Sequence, residues 1–146
     1  LGYGKSKETV PAREKAIRRA KLNLITVRRG CGSWQCGCKE PHTIPFAVKG
    51  KCGSCIIKII PAPKGTGLCI EGECQKVLKL AGIKDVWSKT KGQTRTKINL
   101  LSACFEALRN LVKMKADMKY FEELGIIEGK IAEKVEENEQ NSNSKG

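Results

Sequence analysis

The sequence predicts an α+β protein in which helices cover a small β-sheet. Residues 55–61, CIIKIIP, are rich in β-branched side chains and end with a proline, which is typical of a mostly buried strand. Residues 74–81 repeat apolar side chains every three and four positions, as a helix does, and Gly82 follows where a left-handed C-terminal residue is favoured. Val86 and Trp87 then begin another strand, so this part of the chain predicts a β-loop-α-β unit.

Three further elements complete the predicted fold. Residues 43–48 and 54–60, joined by the glycine-containing stretch 49–53, are typical of a β-hairpin. Two other stretches carry apolar stripes at helical spacing, and the second is expected to pack on the sheet. The stripes are Ala12, Ala16, Ile17, Ala20 and Leu24 after Pro11, and Ile98, Leu101, Phe105, Leu108 and Val112.

A glycine turn, defined as residues 61–67 (PAPKGTG), follows the first strand of the β-loop-α-β unit. Its two prolines and two glycines predict a rigid turn followed by freely rotating backbone, which leaves N–H groups in need of an acceptor. Because Lys64 lies in the turn and a helix begins soon after it, we expect the turn to favour anions such as phosphate.

The charge of the chain predicts a polyanionic partner. The net charge is +13, and because residues 121–146 carry net −4, residues 1–120 carry +17. Nucleic acid is favoured over a membrane because the basic residues are spread over several elements and no apolar run approaches about 20 residues. With seven aromatic residues, we expect contacts to phosphate, sugar and RNA helix shape rather than base stacking.

The basic residues expected to contact RNA lie in loops and on the first helix. A glycine-punctuated basic loop and the basic helix face after it form one predicted surface, and two later loops add to it. The basic residues are Lys5, Lys7, Arg13, Lys15, Arg18, Arg19, Arg28, Arg29, Lys64, Lys89, Lys91 and Arg95, and Gly65 and Gly67 of the glycine turn are expected to contact RNA with them.

Eight cysteines without an apolar secretory segment indicate a soluble protein of a reducing cytosol, whose thiols are buried or bind metal. Cys31, Cys36 and Cys38, with Cys52 or His42 as fourth ligand, would complete a tetrahedral structural zinc site. The alternative is reduced cysteines that act as small apolar residues, since the Cys-x4-Cys-x-Cys spacing is irregular. The sequence identifies no nucleophile or carboxylate that would pair with His42 as a general base, so catalysis by it is not expected.

Five motifs together resemble the small-subunit ribosomal protein S5 family in its archaeal and eukaryotic form. They occur in the family's order between residue 2 and about residue 112. The motifs are residues 2–7 (GYGKSK), 41–45 (PHTIP), 48–54 (VKGKCGS), 61–67 (PAPKGTG) and 80–85 (LAGIKD). The Cys31, Cys36 and Cys38 cluster resembles archaeal members more than eukaryotic ones.

The resemblance implies the end of an N-terminal domain like a double-stranded-RNA-binding domain, whose upstream strands are absent here, in residues 1–28. It also implies an α/β domain with a left-handed βαβ crossover in residues 29–112 and a C-terminal extension in residues 113–146. Tyr3, Gly4, Lys5 and Lys7 match the family's RNA-facing loop, and residues 64–67 match its glycine turn. The Glu-, Asn- and Ser-rich end of the extension, residues 133–146, is expected to be disordered or laid on a partner.

The leading hypothesis is therefore a non-enzymatic constituent of the small ribosomal subunit in the cytoplasm. The resemblance implies contacts with small-subunit ribosomal RNA and with the fourth and eighth small-subunit proteins, near the side where messenger RNA enters, and an influence on decoding accuracy. Neither a membrane nor a small-molecule substrate is expected. Two alternatives are a small-molecule kinase that holds nucleotide phosphate at the glycine turn, and a free-standing zinc-dependent RNA-binding protein.

Overall fold

A computed structural model describes residues 1–129, and the predicted disordered end at residues 133–146 lies outside this range. Among the described residues, no helix has both the length and the apolar character needed to cross a bilayer. The elements, in chain order, are α1 (Thr9–Leu22), β1 (Arg28–Arg29), β2 (Val48–Cys52), β3 (Cys55–Pro61), β4 (Leu68–Cys69), α2 (Gly72–Leu80), β5 (Val86–Lys91), α3 (Lys97–Lys113), α4 (Met118–Glu123) and β6 (Ile127–Glu128).

The centre of the fold is a four-stranded sheet with the order β2-β3-β5-β4. The pairs β2–β3 and β3–β5 are antiparallel, whereas β4 pairs with β5 in parallel. The side chains of β2 and β3 alternate between buried and more exposed positions, and the buried ones join α2 and α3 in one apolar core. The predicted α+β class is therefore confirmed.

The predicted hairpin is confirmed, but its first strand begins and ends later than the sequence predicts. Residues 43–47 precede the strand, and four of the five residues assigned to the turn belong to β2. The actual turn is Gly53 and Ser54, with Gly53 at a φ of 59°. Gly50 lies inside the strand. The position requires glycine because a Cβ there would fall 2.0 Å from the carbonyl oxygen of Ala103 in α3. A glycine that indicates a turn in sequence here permits close helix–sheet approach.

The β-loop-α-β unit differs from the prediction in its first strand. The strand β3 is antiparallel to β5, so it is not the parallel partner. That partner is the two-residue strand β4, which lies between the glycine turn and α2. The predicted helix and its left-handed end are confirmed, with Gly82 at a φ of 77°. A two-residue strand has too little periodicity for the sequence to reveal it.

The helix α3 presents a different face to the core from the predicted stripe. Its buried residues are Leu100, Ala103, Cys104, Ala107, Leu108 and Leu111. Of the predicted stripe, Leu108 is buried, but Ile98 is 77% exposed. The small side chains of Ala103 and Ala107 lie against β2 at Gly50, so backbone proximity rather than side-chain size selects this face.

The predicted N-terminal helix is confirmed as α1, although Leu24 lies beyond its end. Within the described chain no residue of α1 is buried, and Ile17 and Leu24 are exposed. The segment before the helix lies along its alanine side. A Cβ on Gly2 would fall 2.0 Å from the carbonyl oxygen of Ala16, so this glycine allows two backbones to touch.

Residues after α3 return to the start of the domain. The strand β6 pairs antiparallel with β1, and Cys31 donates its backbone N–H to the carbonyl of Leu124 at 2.8 Å. A small second sheet of β1 and β6 therefore lies beside the loop that carries Cys31, Cys36 and Cys38. The sequence shows no strand signal for β6, because its two residues acquire their conformation from β1.

Candidate functional site

The side of the sheet opposite the helices is a basic surface that we call the lysine face. Its members are Lys49, Lys51, Lys58, Lys89 and Lys91, which come from β2, β3 and β5. The strand registers place these side chains on one side of the sheet, while their sequence neighbours, such as Val48, Ile57 and Ile59, point into the core. Four of the five are exposed, and Lys58 in the central strand is half-buried.

The lysine face places like charges directly opposite each other. Lys58 is the register partner of Lys49 on one side and of Lys89 on the other, so one lysine row crosses three strands. The neighbouring row has Lys51 and Lys91 on either side of Ile56. Like charges at directly opposed positions destabilise a sheet, and none of the five lysines makes an ion pair within residues 1–129. Such a surface suits a polyanion.

The predicted N-terminal RNA residues lie on a second exposed surface. Tyr3, Lys5 and Lys7 are exposed in the loop before α1. Gly4 lies so close to the helix that a Cβ on it would fall 2.1 Å from the carbonyl oxygen of Ala12. Arg19 donates to the carbonyl of Tyr3 at 2.9 Å and thereby holds the loop on α1. The exposed helix bases are Arg13, Lys15, Arg18 and Arg19.

The side chains of Arg28 and Arg29, which the sequence assigns to RNA contacts, bind the C-terminal segment of the described chain. Arg28 donates to Glu128 and lies 5.6 Å from the centre of the Phe121 ring. Arg29 is 6% exposed and donates to the carbonyl of Gly129 at 2.8 Å. Both arginines hold the C-terminal segment against β1, a role set by residues about 100 positions away in sequence.

The glycine turn satisfies its N–H groups with an internal carboxylate. Asp85 Oδ1 accepts from the backbone N–H of Gly65 at 3.1 Å and of Gly67 at 2.8 Å. Lys64 forms an exposed ion pair with Glu40 at 2.7 Å, which raises the pKa of Lys64 and lowers that of Glu40. The acceptor that the turn requires is therefore Asp85, so these two amides are not free to bind phosphate.

The remaining predicted RNA residues lie at and beyond β5. Lys89 and Lys91 belong to the strand and to the lysine face, whereas the sequence places them in a loop. Arg95 is exposed in the turn that follows. Lys49, Lys51 and Lys58 were not predicted, although the alternation of lysine with Val48 and Gly50 carries the period of two that marks a strand with one exposed side.

A second constellation, the Cys3His cluster, consists of Cys31, Cys36, Cys38 and His42. Its four potential ligand atoms all lie within 4.8 Å of one another. His42 Nε2 lies 3.8 Å from Cys36 Sγ, and His42 Nδ1 lies 2.8 Å from Asp85 Oδ2, with both residues buried. Cys52 lies on β2 beside the hairpin turn, so the structure brings His42 and not Cys52 to the three thiols.

The thiols of Cys31 and Cys36 differ in acidity. The backbone N–H of Lys64, followed by hydrogen bonds from Cys38, lowers the pKa of Cys36 to about 6. Burial raises the pKa of Cys31 to about 11.

Asp85 connects two neighbouring features, because its carboxylate accepts from the N–H groups of the glycine turn and contacts the imidazole of the Cys3His cluster. The sequence carries no signal for this link, since Asp85 and His42 are 43 residues apart.

Comparison with known proteins identifies the family. Residues 50–120 match the family model described as ribosomal protein S5, C-terminal domain. Small ribosomal subunit protein uS5 of Methanocaldococcus jannaschii is 55% identical over 131 residues, which are 90% of this chain and 60% of the relative. The Methanococcus maripaludis protein of the same name is 52% identical over 131 residues, which cover 90% of this chain and 58% of the relative.

A third relative comes from a different genus. The uS5 protein of Pyrobaculum arsenaticum is 56% identical over 115 residues, which are 79% of this chain and 57% of the relative. The chain thus spans a little more than half the length of these relatives. The matched C-terminal domain and the identity over most of the chain agree with the motifs seen in the sequence, and residues 50–120 belong to the C-terminal domain of the ribosomal protein S5 family.

Proposed function

We propose that this chain is a structural constituent of the small ribosomal subunit that binds small-subunit ribosomal RNA and performs no catalytic step. The observation that carries the proposal is the lysine face, with five lysines on one side of a sheet and like charges directly opposed. The names of the relatives, small ribosomal subunit protein uS5, support the same role. The place of action is then the small subunit in the cytoplasm.

The proposed mechanism is charge neutralisation of folded RNA. Each lysine that reaches a phosphate releases condensed counterions, so binding gains free energy mainly from the entropy of those ions. Phosphate oxygens between the rows also remove the repulsion among Lys49, Lys58 and Lys89. Half-buried Ile56, Ile60 and Trp87 lie on the same side of the sheet and give the RNA backbone an apolar floor.

The N-terminal loop and α1 form a second proposed RNA contact, at the end of a domain like a double-stranded-RNA-binding domain. The exposed apolar residues Val10, Ile17 and Leu22 support this assignment, because in such a domain a sheet packs on the helix. We place this part in residues 1–28, the S5 α/β domain in residues 29–112 and the extension in residues 113–146. For the connection β4-α2-β5 we propose the left-handed crossover of the family.

The proposed neighbours are the fourth and eighth small-subunit proteins, near the side where messenger RNA enters the subunit. There the protein supports decoding accuracy by holding RNA and protein in a fixed arrangement. The exposed apolar side of α1 supports a protein or domain contact in this region, since it is not covered by residues 1–129.

The geometry of the glycine turn does not support the kinase alternative. A phosphate-binding glycine turn needs free backbone N–H groups, but those of Gly65 and Gly67 are donated to Asp85. Lys64 in the same turn is paired with Glu40. No nucleotide or other small-molecule substrate is therefore proposed.

Sedimentation distinguishes a subunit protein from the alternative of a free-standing zinc-dependent RNA-binding protein. Only a subunit protein is recovered with native small ribosomal particles.

The lysine face is tested by the salt dependence of binding to a full small-subunit rRNA transcript. We expect the combined variant Lys49→Gln, Lys58→Gln and Lys89→Gln to weaken binding and to reduce the slope of log K against log salt by about 2–3. The control replaces Lys76, Lys79 and Lys113, which lie on helices, and removes the same net charge. Equal effects of the two triple variants, or a salt-independent affinity, would overturn the proposal.

A further inference from the structure

We propose that the Cys3His cluster binds one Zn²⁺ ion, and that this ion fixes the loop of residues 31–42 to the glycine turn. Three thiolates and an imidazole are a ligand set that zinc favours, whereas Mg²⁺ and Ca²⁺ prefer oxygen ligands. The ion would be structural, because all four coordination positions belong to the protein. This proposal is independent of the RNA proposal, which concerns other residues.

The separations within the cluster are close to those of a tetrahedral zinc site. With Zn–S near 2.3 Å and Zn–N near 2.0–2.1 Å, tetrahedral angles place neighbouring ligand atoms roughly 3.5–3.8 Å apart. His42 Nε2 and Cys36 Sγ lie 3.8 Å apart. All other pairs lie within 4.8 Å, so each needs to shorten by at most about 1.3 Å. A change of staggered rotamer about the Cα–Cβ bond of a cysteine moves its sulfur by more than this distance.

The contact between His42 and Asp85 orients the imidazole as a metal ligand. The buried carboxylate accepts the Nδ1 proton at 2.8 Å, which leaves the lone pair of Nε2 directed toward the thiols. Zinc-binding histidines commonly carry such a carboxylate on the second ring nitrogen, where it fixes the tautomer and raises basicity. A histidine that served only as core packing would not require three convergent thiols at its other nitrogen.

The cluster differs from the other cysteines of the described chain. Buried Cys55, Cys74 and Cys104 lie on strands or helices, and the last two belong to the apolar core. Cys36 and Cys38 are half-buried on a loop without helix or strand, where a small apolar side chain contributes little to packing. Convergence on His42 is therefore better explained by ligation than by burial.

The same contacts link the proposed metal to the glycine turn. The chain of contacts runs from the ion to His42, from His42 to Asp85 Oδ2, and from Asp85 Oδ1 to the N–H groups of Gly65 and Gly67. Lys64 directly precedes Gly65, and its side chain is exposed. We therefore expect zinc to order the turn and to set the position of Lys64.

Metal content and the cobalt spectrum of the purified full chain test the site. We expect one zinc per chain after reconstitution, and for Co²⁺ the intense visible bands of a tetrahedral site together with thiolate charge-transfer bands. These readouts use the unaltered protein and do not depend on the folding of a variant. Absence of stoichiometric zinc, a six-coordinate cobalt spectrum, or an iron–sulfur spectrum would each overturn the proposal.

Variants identify the ligands and the link to the turn. Cys36→Ser and His42→Ala should lose the zinc, whereas Cys69→Ser, at an exposed cysteine outside the cluster, should retain it. Cys52→Ser should also retain it, and loss there would overturn His42 as the fourth ligand. Asp85→Asn should weaken zinc binding by about 10–100-fold.

Amide hydrogen exchange measures the link directly. Removal of zinc by a chelator should speed exchange at Gly65 and Gly67 while leaving Ala107 in α3 unchanged. Unchanged exchange at the two glycines would overturn the link between the ion and the turn.

Discussion

Lys58 and Lys89 are direct register partners in neighbouring strands, on the side of the sheet opposite α2 and α3. Neither lysine has an ion-pair partner in residues 1–129. A folded chain accepts this repulsion when another molecule supplies the opposite charge. The two side chains are therefore unfavourable for the isolated protein and favourable for its proposed complex with RNA.

Replacing Lys58 by threonine should stabilise the isolated protein. The change removes two like-charge contacts, with Lys49 and Lys89, each worth about 0.2–1 kcal/mol, and introduces a residue with high strand propensity. Urea unfolding at low salt should show the gain, and high salt should diminish it because salt screens the repulsion. Lys58→Arg keeps the charge and should show no gain. A loss of stability in Lys58→Thr at low salt would contradict this prediction.

Gly50→Ala should destabilise the fold by at least about 2 kcal/mol, since overpacking forces the backbone to move. The new Cβ would lie 2.0 Å from the carbonyl oxygen of Ala103, a backbone atom that cannot move unless α3 moves with it. Gly72→Ala is the matched control because its Cβ meets no atom of the described chain within 4 Å, and it should be neutral or stabilising by roughly 0.5–1 kcal/mol. Chemical denaturation of both variants measures the difference, and equal stabilities would refute the close approach.

Arg28→Gln should lower stability and leave the salt dependence of RNA binding unchanged. The variant loses the contacts with Glu128 and the Phe121 ring, and we expect a cost of about 1–3 kcal/mol. Arg13→Gln is the opposite case, because Arg13 is exposed on α1 and should affect RNA binding instead, reducing the salt slope by about 1. Thermal unfolding and binding titrations of both variants distinguish the two roles. A reduced salt slope in Arg28→Gln would restore its assignment to RNA.

The pair of Glu73 and Lys76 on α2 should be visible in a pH titration. A hydrogen bond from Lys76 lowers the pKa of Glu73 below its ordinary value of 4.5. The stabilisation from the pair is thus complete above pH 4.5 and is lost as pH falls through the lower pKa of the folded state. In Lys76→Gln the carboxyl resonance of Glu73 should titrate at a higher pH than in the parent protein in NMR spectra, whereas Lys76→Arg should keep the lowered pKa. An unchanged pKa of Glu73 in Lys76→Gln would show that Lys76 does not cause the lowered pKa.

Residues close in sequence determine several features of this protein without further information. The β-branched run that ends at Pro61 specifies β3, and the apolar spacing before Gly82 specifies α2 with its left-handed end. The excess of lysine and arginine indicates a polyanionic partner, and the motifs indicate the S5 family. These properties depend on composition or on spacing within one element, so they can be predicted from the chain alone.

Tertiary structure alone decides which distant residues meet. Strand register brings Lys49, Lys58 and Lys89 into one row, and it depends on pairings between separate segments. Asp85 accepts from the glycine turn and from His42 because the end of α2 returns to the loop before β2. The N–H groups of the turn that the sequence assigns to phosphate are thereby donated to a carboxylate, and the Arg28 side chain donates to Glu128 of β6. Such contacts join groups tens of residues apart, and no local pattern records them.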